Sequence, residues 1–397
     1  MPGWHARTEP YRQSGKIRVL GIIQEQHPER CRLFMQWKQM DWPVAVDALN
    51  LLEVAAVPYT LLIDEAGMVR AINPKPEAFD AFLMSDPVAF EKTESSLITT
   101  ISETAKDLET SAQHSNTAAS WEAFGEHLFL WGANESMSQC VDAYTKAVAL
   151  DSKGGWLHFR LGVAFRRLFD LDQKDMDLFR HAITQWQSAL DLDPNQYIWR
   201  RRIQQYGPRL DKPYSFYDWI HQAREEINHR GDHPIPLTVE PSGAEFAYPD
   251  QPSDPGDNRT AEPDPDGRII RDEQGGIGLA HTLVAATYEE KKAIRVHLKF
   301  QPNPIQALHW NNEAEPLTVW IQPAEGWTSD ASLLTFPNPR QATDSAPRSV
   351  EFEIVQTGEK ADKTIRGYAL YNVCEDINNV CMYRRQDFSI DLGSVGR

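Results

Sequence analysis

The spacing of apolar residues changes character twice along this 397-residue chain, and no single packed core accommodates all three patterns. Near the start, apolar residues come in short continuous runs, as in Ile17 to Ile23 (IRVLGII). From Ser120 to Ile227 they recur at helical intervals, and from Ile294 onward they alternate with polar residues. Short continuous runs suit buried strands, a period of about 3.6 suits packed helices, and a period of two suits strands of an antiparallel sheet. The expectation is a multidomain α+β chain.

The first part alternates strand and helix. After the strand at Ile17 to Ile23, Pro28 and Glu29 are good first-turn residues, and Cys31, Phe34, Met35 and Trp37 follow at helical spacing. Tyr59 to Asp64 reads as a strand, Glu65-Ala66-Gly67 as its turn, and Met68 to Ile72 as the antiparallel return. This order resembles the second half of the thioredoxin fold as redoxin and TlpA-type proteins use it. The residues that carry the likeness are Val19 to Ile23, Asp41-Trp42-Pro43-Val44 before a further helix, Val57-Pro58, and the turn Asp64 to Gly67. The resemblance implies that Pro58 follows a cis bond and that Val57 and Pro58 lie against the active site. It also implies a Cys-x-x-Cys pair where the chain has Met1 to Trp4, and neither Met1 nor Trp4 can form a thiolate. The domain, residues 1–86, is therefore expected to be truncated or degenerate, with the strand that opens the fold missing.

The middle, residues 87–230, begins with an amphipathic stretch through Phe90, Leu97, Ile98, Ile101 and Leu108. Trp121, Phe124, Leu128 and Trp131 then share one helical face. Cys140, Tyr144, Ala147 and Ser152 recur with identical spacing as Ala182, Trp186, Ala189 and Pro194. Small residues let two helices approach, an aromatic fills the groove between them, and Ser or Pro stops the second helix. Leu161-Gly162 and Phe165 supply a first helix for the second repeat, and a third pair runs from Gln196 to Ile227 through Trp199, Ile203, Tyr217, Trp219 and Ile220. The pattern resembles tetratricopeptide repeats, which implies a groove that takes a partner's peptide.

Residues 231–275 are rich in Pro, Asp and Gly and read as a linker, with one strand possible in Pro236 to Ala247. In residues 276–397 the period is two: Ile294, Val296, Leu298 and Phe300; Leu317, Val319 and Ile321; Val350, Phe352 and Ile354. Ile365 to Cys374 and Cys381 to Leu392 flank a hairpin loop in which Asn378 and Asn379 suit the left-handed conformation. Several short strands with Pro, Gly and Asn breaks indicate an antiparallel sandwich. Cys374 and Cys381 end the two strands of that hairpin, where a cross-strand disulfide is geometrically possible. This part resembles the immunoglobulin-like N-terminal domain of DsbD-type thiol:disulfide interchange proteins, which docks thioredoxin-fold partners. By that likeness Cys374 and Cys381 form the exchanging pair. Read from the residues alone, they are equally a structural staple or two reduced thiols.

The remaining features narrow the function. A formal charge of −17 with no basic stripe argues against nucleic acid and anionic membranes as partners. No apolar run reaches the length of a transmembrane span. The opening residues MPGWHARTEPYRQSGK lack the apolar segment of a signal peptide, which makes the cytoplasm the default compartment, or the periplasm if the start is truncated. Cys31 and Cys140 occupy apolar helical positions and read as packing residues. His309-Trp310-Asn311-Asn312-Glu313 reads as a loop whose Trp310 packs on the sandwich, without the further ligands a metal needs. His5 has no evident partner. No nucleotide or cofactor motif is present; the glycines at 275, 276 and 278 follow a linker rather than a strand. Together the resemblances imply thiol-disulfide exchange with thioredoxin-like protein partners, a possible oxidoreductase activity. The alternative is a non-catalytic scaffold whose repeats bind a partner peptide.

Overall fold

The computed structural model describes residues 2–86, 105–172, 175–212, 216–241, 243–246, 261–287, 292–322, 324–375 and 380–394. It is a mixed structure of helices and mainly antiparallel sheets that divides into two compact units. One comprises Met1–Arg167, Ser188–Arg200 and Ile220–Val239; the other comprises Leu168–Gln187, Arg201–Trp219 and Glu240–Arg397.

The first unit opens with helix α1 (Pro2–Gln13), then β1 (Gly21–Ile23), α2 (Pro28–Trp37), β2 (Val44–Val46), β3 (Leu61–Ile63), β4 (Val69–Ile72) and α3 (Pro76–Met84). The first strand is shorter than the apolar run that suggested it. Lys16 and Ile17 still donate their backbone N–H groups to the Tyr11 carbonyl, closing the end of α1 over Gly15 at φ +73. β1 and β2 pair in parallel, with Gly21 opposite Val44. The helix expected after Asp41-Trp42-Pro43-Val44 is absent. Val44 enters β2 instead, and the residues beyond it turn because Asp47 accepts from the Leu51 N–H at 2.7 Å and Asn50 from the Val54 N–H at 3.1 Å. β3 and β4 form the expected hairpin, whose turn is tied by Asp64 accepting from Ala66 and Met68. Leu62, Phe79 and Leu83 make a small core against which Trp4, Tyr11 and Ile17 pack.

The helices that follow are α4 (Ala105–Ser115), α5 (Ala118–Trp131), α6 (Met137–Leu150), α7 (Gly155–Leu171), α8 (Leu178–Leu192), α9 (Tyr197–Gln204) and α10 (Trp219–His229). Phe90, Leu97, Ile98 and Ile101 of the expected connecting helix lie outside the described residues; Leu108 lies in α4. Thr117 and Ser120 form a reciprocal capping box that starts α5. In the first unit α5 lies close against α6. A Cβ added at Gly125 would meet the Tyr144 ring at 3.0 Å, and the Cys140 thiol donates to the Gly125 carbonyl at 3.3 Å. Cys140, Tyr144 and Ala147, like Ala182, Trp186 and Ala189, are all fully buried. Helices α7 to α10 each continue from one unit into the other, so the helical stretch belongs in part to both.

The second unit is dominated by two antiparallel sheets. Its strands are β5 (Ile277–Ala285), β6 (Ala293–Pro302), β7 (Leu308–Asn311), β8 (Leu317–Ile321), β9 (Trp327–Ser329), β10 (Leu333–Phe336), β11 (Thr343–Asp344), β12 (Arg348–Gln356), β13 (Thr364–Glu375) and β14 (Val380–Asp391). One sheet has the order β5-β6-β12-β9. The other runs β10-β8-β13-β7-β11, with β14 also paired to β13. Alternate residues from both meet in one core that includes Val296, Leu298, Phe300, Trp310, Val319, Phe352, Ala369, Tyr371 and Val373. The strand thought possible in Pro236 to Ala247 does not form among the described residues, which bend at Thr238 and Val239 and make a 3-10 turn at Gly243–Glu245. Residues 309–311 of the expected loop instead form strand β7, because Trp310 is taken wholly into the core.

Candidate dithiol site

β13 and β14 pair without interruption from Thr364 opposite Asp391 to Glu375 opposite Val380. That register sets Cys374 directly against Cys381, and the two are joined by a disulfide with their Cα atoms 3.9 Å apart. Asn378 and Asn379, between the strands, lie outside the described residues. On β13 the residues Ile365, Ala369, Tyr371 and Val373 point into the core, so Cys374 projects from the outer face of the sheet. The two sulfurs sit in unlike settings: Cys374 is buried, at 7% exposure, whereas Cys381 on β14 is exposed.

The frame around the pair is held from the core side. Trp310 of β7 stands opposite Val373, meets the Tyr371 ring edge-on at 5.9 Å and donates from Nε1 to the Ala346 carbonyl at 2.8 Å. The Arg348 guanidinium lies 4.3 Å from the centre of the Trp310 ring. Tyr371 donates its hydroxyl to Asp272 at 2.8 Å, and burial pushes that phenol far above its ordinary range. These contacts fix β7 beside β13, and the next pair in the same register places His309 opposite Cys374. Farther along the outer face, Asn372 donates to the Glu315 carbonyl at 3.1 Å and stands opposite Tyr383. Burial and the Glu315 charge together raise the Tyr383 phenol above its usual range.

The other two cysteines differ in kind. Cys31 and Cys140 are buried free thiols; burial raises both, and pushes Cys140 up to about 12. Both are therefore less readily ionised to the reactive thiolate than an ordinary cysteine. Of the four, only Cys374 and Cys381 share a sulfur–sulfur bond, and only Cys381 is exposed.

The residues expected to mark a thioredoxin-type site lie in the first unit. Trp4 sits in α1 and meets the Phe79 ring edge-on at 5.3 Å. Val57 and Pro58 are exposed, and the bond between them is cis. Here the structure adds a cluster that sequence reading missed. His5 Nε2 lies 2.8 Å from the Asp41 carboxylate, and Arg12 donates to the same oxygen at 2.6 Å. The His5 and Arg12 hydrogen bonds hold the Asp41 carboxyl below its usual range. His5 and Asp41 are 36 positions apart, so no local motif announced the pairing. The three side chains bond to one another, and the cluster lacks a nucleophile.

Among the described residues, no group of three or more His, Cys, Asp or Glu side chains is arranged to hold a metal ion. No helix among them is long and apolar enough to cross a membrane. Compared with known proteins, the chain matches no protein-family model and no curated protein.

Proposed function

We propose that this protein carries out thiol-disulfide exchange through Cys374 and Cys381, with a thioredoxin-fold protein dithiol as its partner. The proposed architecture is a degenerate thioredoxin-like domain, tetratricopeptide-like helices and an immunoglobulin-like sandwich bearing the pair. One observation carries this reading. The disulfide closes the end of a hairpin with one cysteine exposed and the other buried. An incoming thiolate has access to Cys381, and Cys374 is the sulfur that departs. A staple serving stability alone has no need of an accessible sulfur.

The test is the rate at which a reduced thioredoxin reduces the full-length protein. Exchange faster than with an exposed model disulfide, lost in both Cys374→Ser and Cys381→Ser, supports the reading; reduction only after unfolding overturns it.

A second reading, a docking scaffold without chemistry, is favoured by apolar side chains facing solvent on the first unit. Leu61, Ile63, Val69 and Ile72 of the β3–β4 hairpin are 40–56% exposed on one face. Under that reading, partner capture survives Cys381→Ser and is lost on deleting Trp121 to Pro194.

A further inference from the structure

The cross-strand row that holds the disulfide does not stop at two residues. Cys381 of β14 is paired with Cys374 of β13, and Cys374 is paired on its other side with His309 of β7. Residues directly opposite in a sheet share a face, with Cβ atoms about 4.5–5.5 Å apart. Trp310, one position on, and its partner Val373 both point into the core, which confirms that His309 and Cys374 point outward together. His309 is half-buried.

We propose that His309 is the third member of the Cys374–Cys381 site, where it stabilises the negative charge that forms on the Cys374 sulfur when an incoming thiolate attacks Cys381. This rests on the exchange reading above and adds to it a direction and a helper. In the first step, a thiolate of the partner dithiol gives an electron pair to the Cys381 sulfur. The Cys374–Cys381 bond breaks, and its pair leaves with Cys374 as a thiolate beside His309. In the second step, the partner's other thiol, deprotonated, attacks the partner sulfur in the mixed disulfide and releases Cys381. The partner ends as a disulfide, oxidised by two electrons, and the two protons lost by its thiols end on Cys374 and Cys381. A leaving thiol departs faster when its conjugate anion is stabilised, and a neighbouring imidazolium does this for cysteine.

The other charged and titratable groups on this face do not replace His309. Glu315, beside Asn372, and Tyr383, opposite Asn372, carry no charge or a negative one. Arg385, farther along β14, is bound by Asp264 and Asp387 at 2.8 Å each. Glu375, the next residue of β13, lies opposite Val380 and by strand alternation falls on the other face from Cys374. His309 is the imidazole in register with the departing sulfur.

The test uses full-length protein carrying Cys381→Ser, which leaves Cys374 as a free thiol, with and without His309→Gln or His309→Lys. Thiolate formation is followed by ultraviolet absorbance across pH, and folding is checked by near-ultraviolet circular dichroism. His309→Gln is expected to shift the Cys374 titration upward by about one pH unit, a roughly tenfold loss of thiolate at neutral pH. His309→Lys is expected to restore it. With both cysteines present, His309→Gln is expected to slow reduction by dithiothreitol by a similar factor at neutral pH. An unchanged Cys374 titration in folded His309→Gln overturns the role of His309, even if thioredoxin exchange proceeds. A shifted titration with no thioredoxin exchange keeps His309 as the thiolate's partner and removes only the proposed physiological reaction.

Discussion

Reducing the folded protein and alkylating it briefly separates its four cysteines by their surroundings. Burial pushes the Cys140 thiol up to about 12, while an ordinary cysteine titrates near about 8.5. At about pH 8, roughly a quarter of an ordinary thiol is thiolate, against about one part in ten thousand for a group at 12. The thiolate is the reacting species, so Cys140 is expected to react orders of magnitude more slowly than reduced Cys381. Its complete burial in α6 and its bond to the Gly125 carbonyl slow it further. Cys31, also buried and raised, is expected to follow Cys140. The assay is peptide mass spectrometry over a time course of iodoacetamide, with and without prior reduction. Labelling of Cys381 that requires reduction and precedes Cys140 by orders of magnitude is the expected result. Comparable labelling of Cys140 in the folded protein, or of Cys381 without reduction, refutes the reasoning.

Other outcomes follow from the packing. In the second unit, Glu351 accepts from Arg295 at 3.2 Å and lies 3.2 Å from His297. Burial pushes this carboxyl up, but the His297 and Arg295 charges and hydrogen bonds outweigh it and hold it far below its usual range. Glu351→Gln leaves the buried Arg295 guanidinium partly uncompensated and is expected to cost about 3 kcal/mol at neutral pH, read as a lower Tm. Because the folded carboxyl is depressed, its contribution is full above the unfolded value of about 4.3 and fades as pH falls below it, so the gap between variant and parent closes in acid. Gly125→Ala drives a Cβ against the Tyr144 ring and is expected to destabilise the first unit by about 1–3 kcal/mol, measured by denaturant unfolding. His309→Gln, as set out above, is expected to raise the Cys374 titration by about one unit.

Much of this architecture was legible in the order of residues because burial follows period. The alternation from Ile294 to Phe300 became β6, and the spacing shared by Cys140-Tyr144-Ala147 and Ala182-Trp186-Ala189 marked fully buried helical positions. The juxtaposition of Cys374 and Cys381 was legible too, since a hairpin pairs residues that are near in sequence. What was hidden depended on longer reach. Trp310 carried a strand that its polar neighbours disguised as a loop, because one large ring in the core outweighs them. His309 therefore gave no sign of sharing a row with Cys374, from which it is far removed in sequence. Val44 to Val46 became a strand rather than the lead-in to a helix because Asp47 and Asn50 cap the following turns. His5, Asp41 and Arg12 came together only through the fold.

Covalent capture of the attacking thiol offers the sharpest test of exchange at the last hairpin. Oxidised full-length protein is mixed with a reduced thioredoxin whose second active-site cysteine is serine, so that the mixed disulfide cannot resolve, and the adduct is mapped by mass spectrometry. A thioredoxin attached at Cys381, with Cys374 free, is the result expected here. An intact Cys374–Cys381 bond and no adduct while the protein stays folded would mean that the disulfide only holds two strands together.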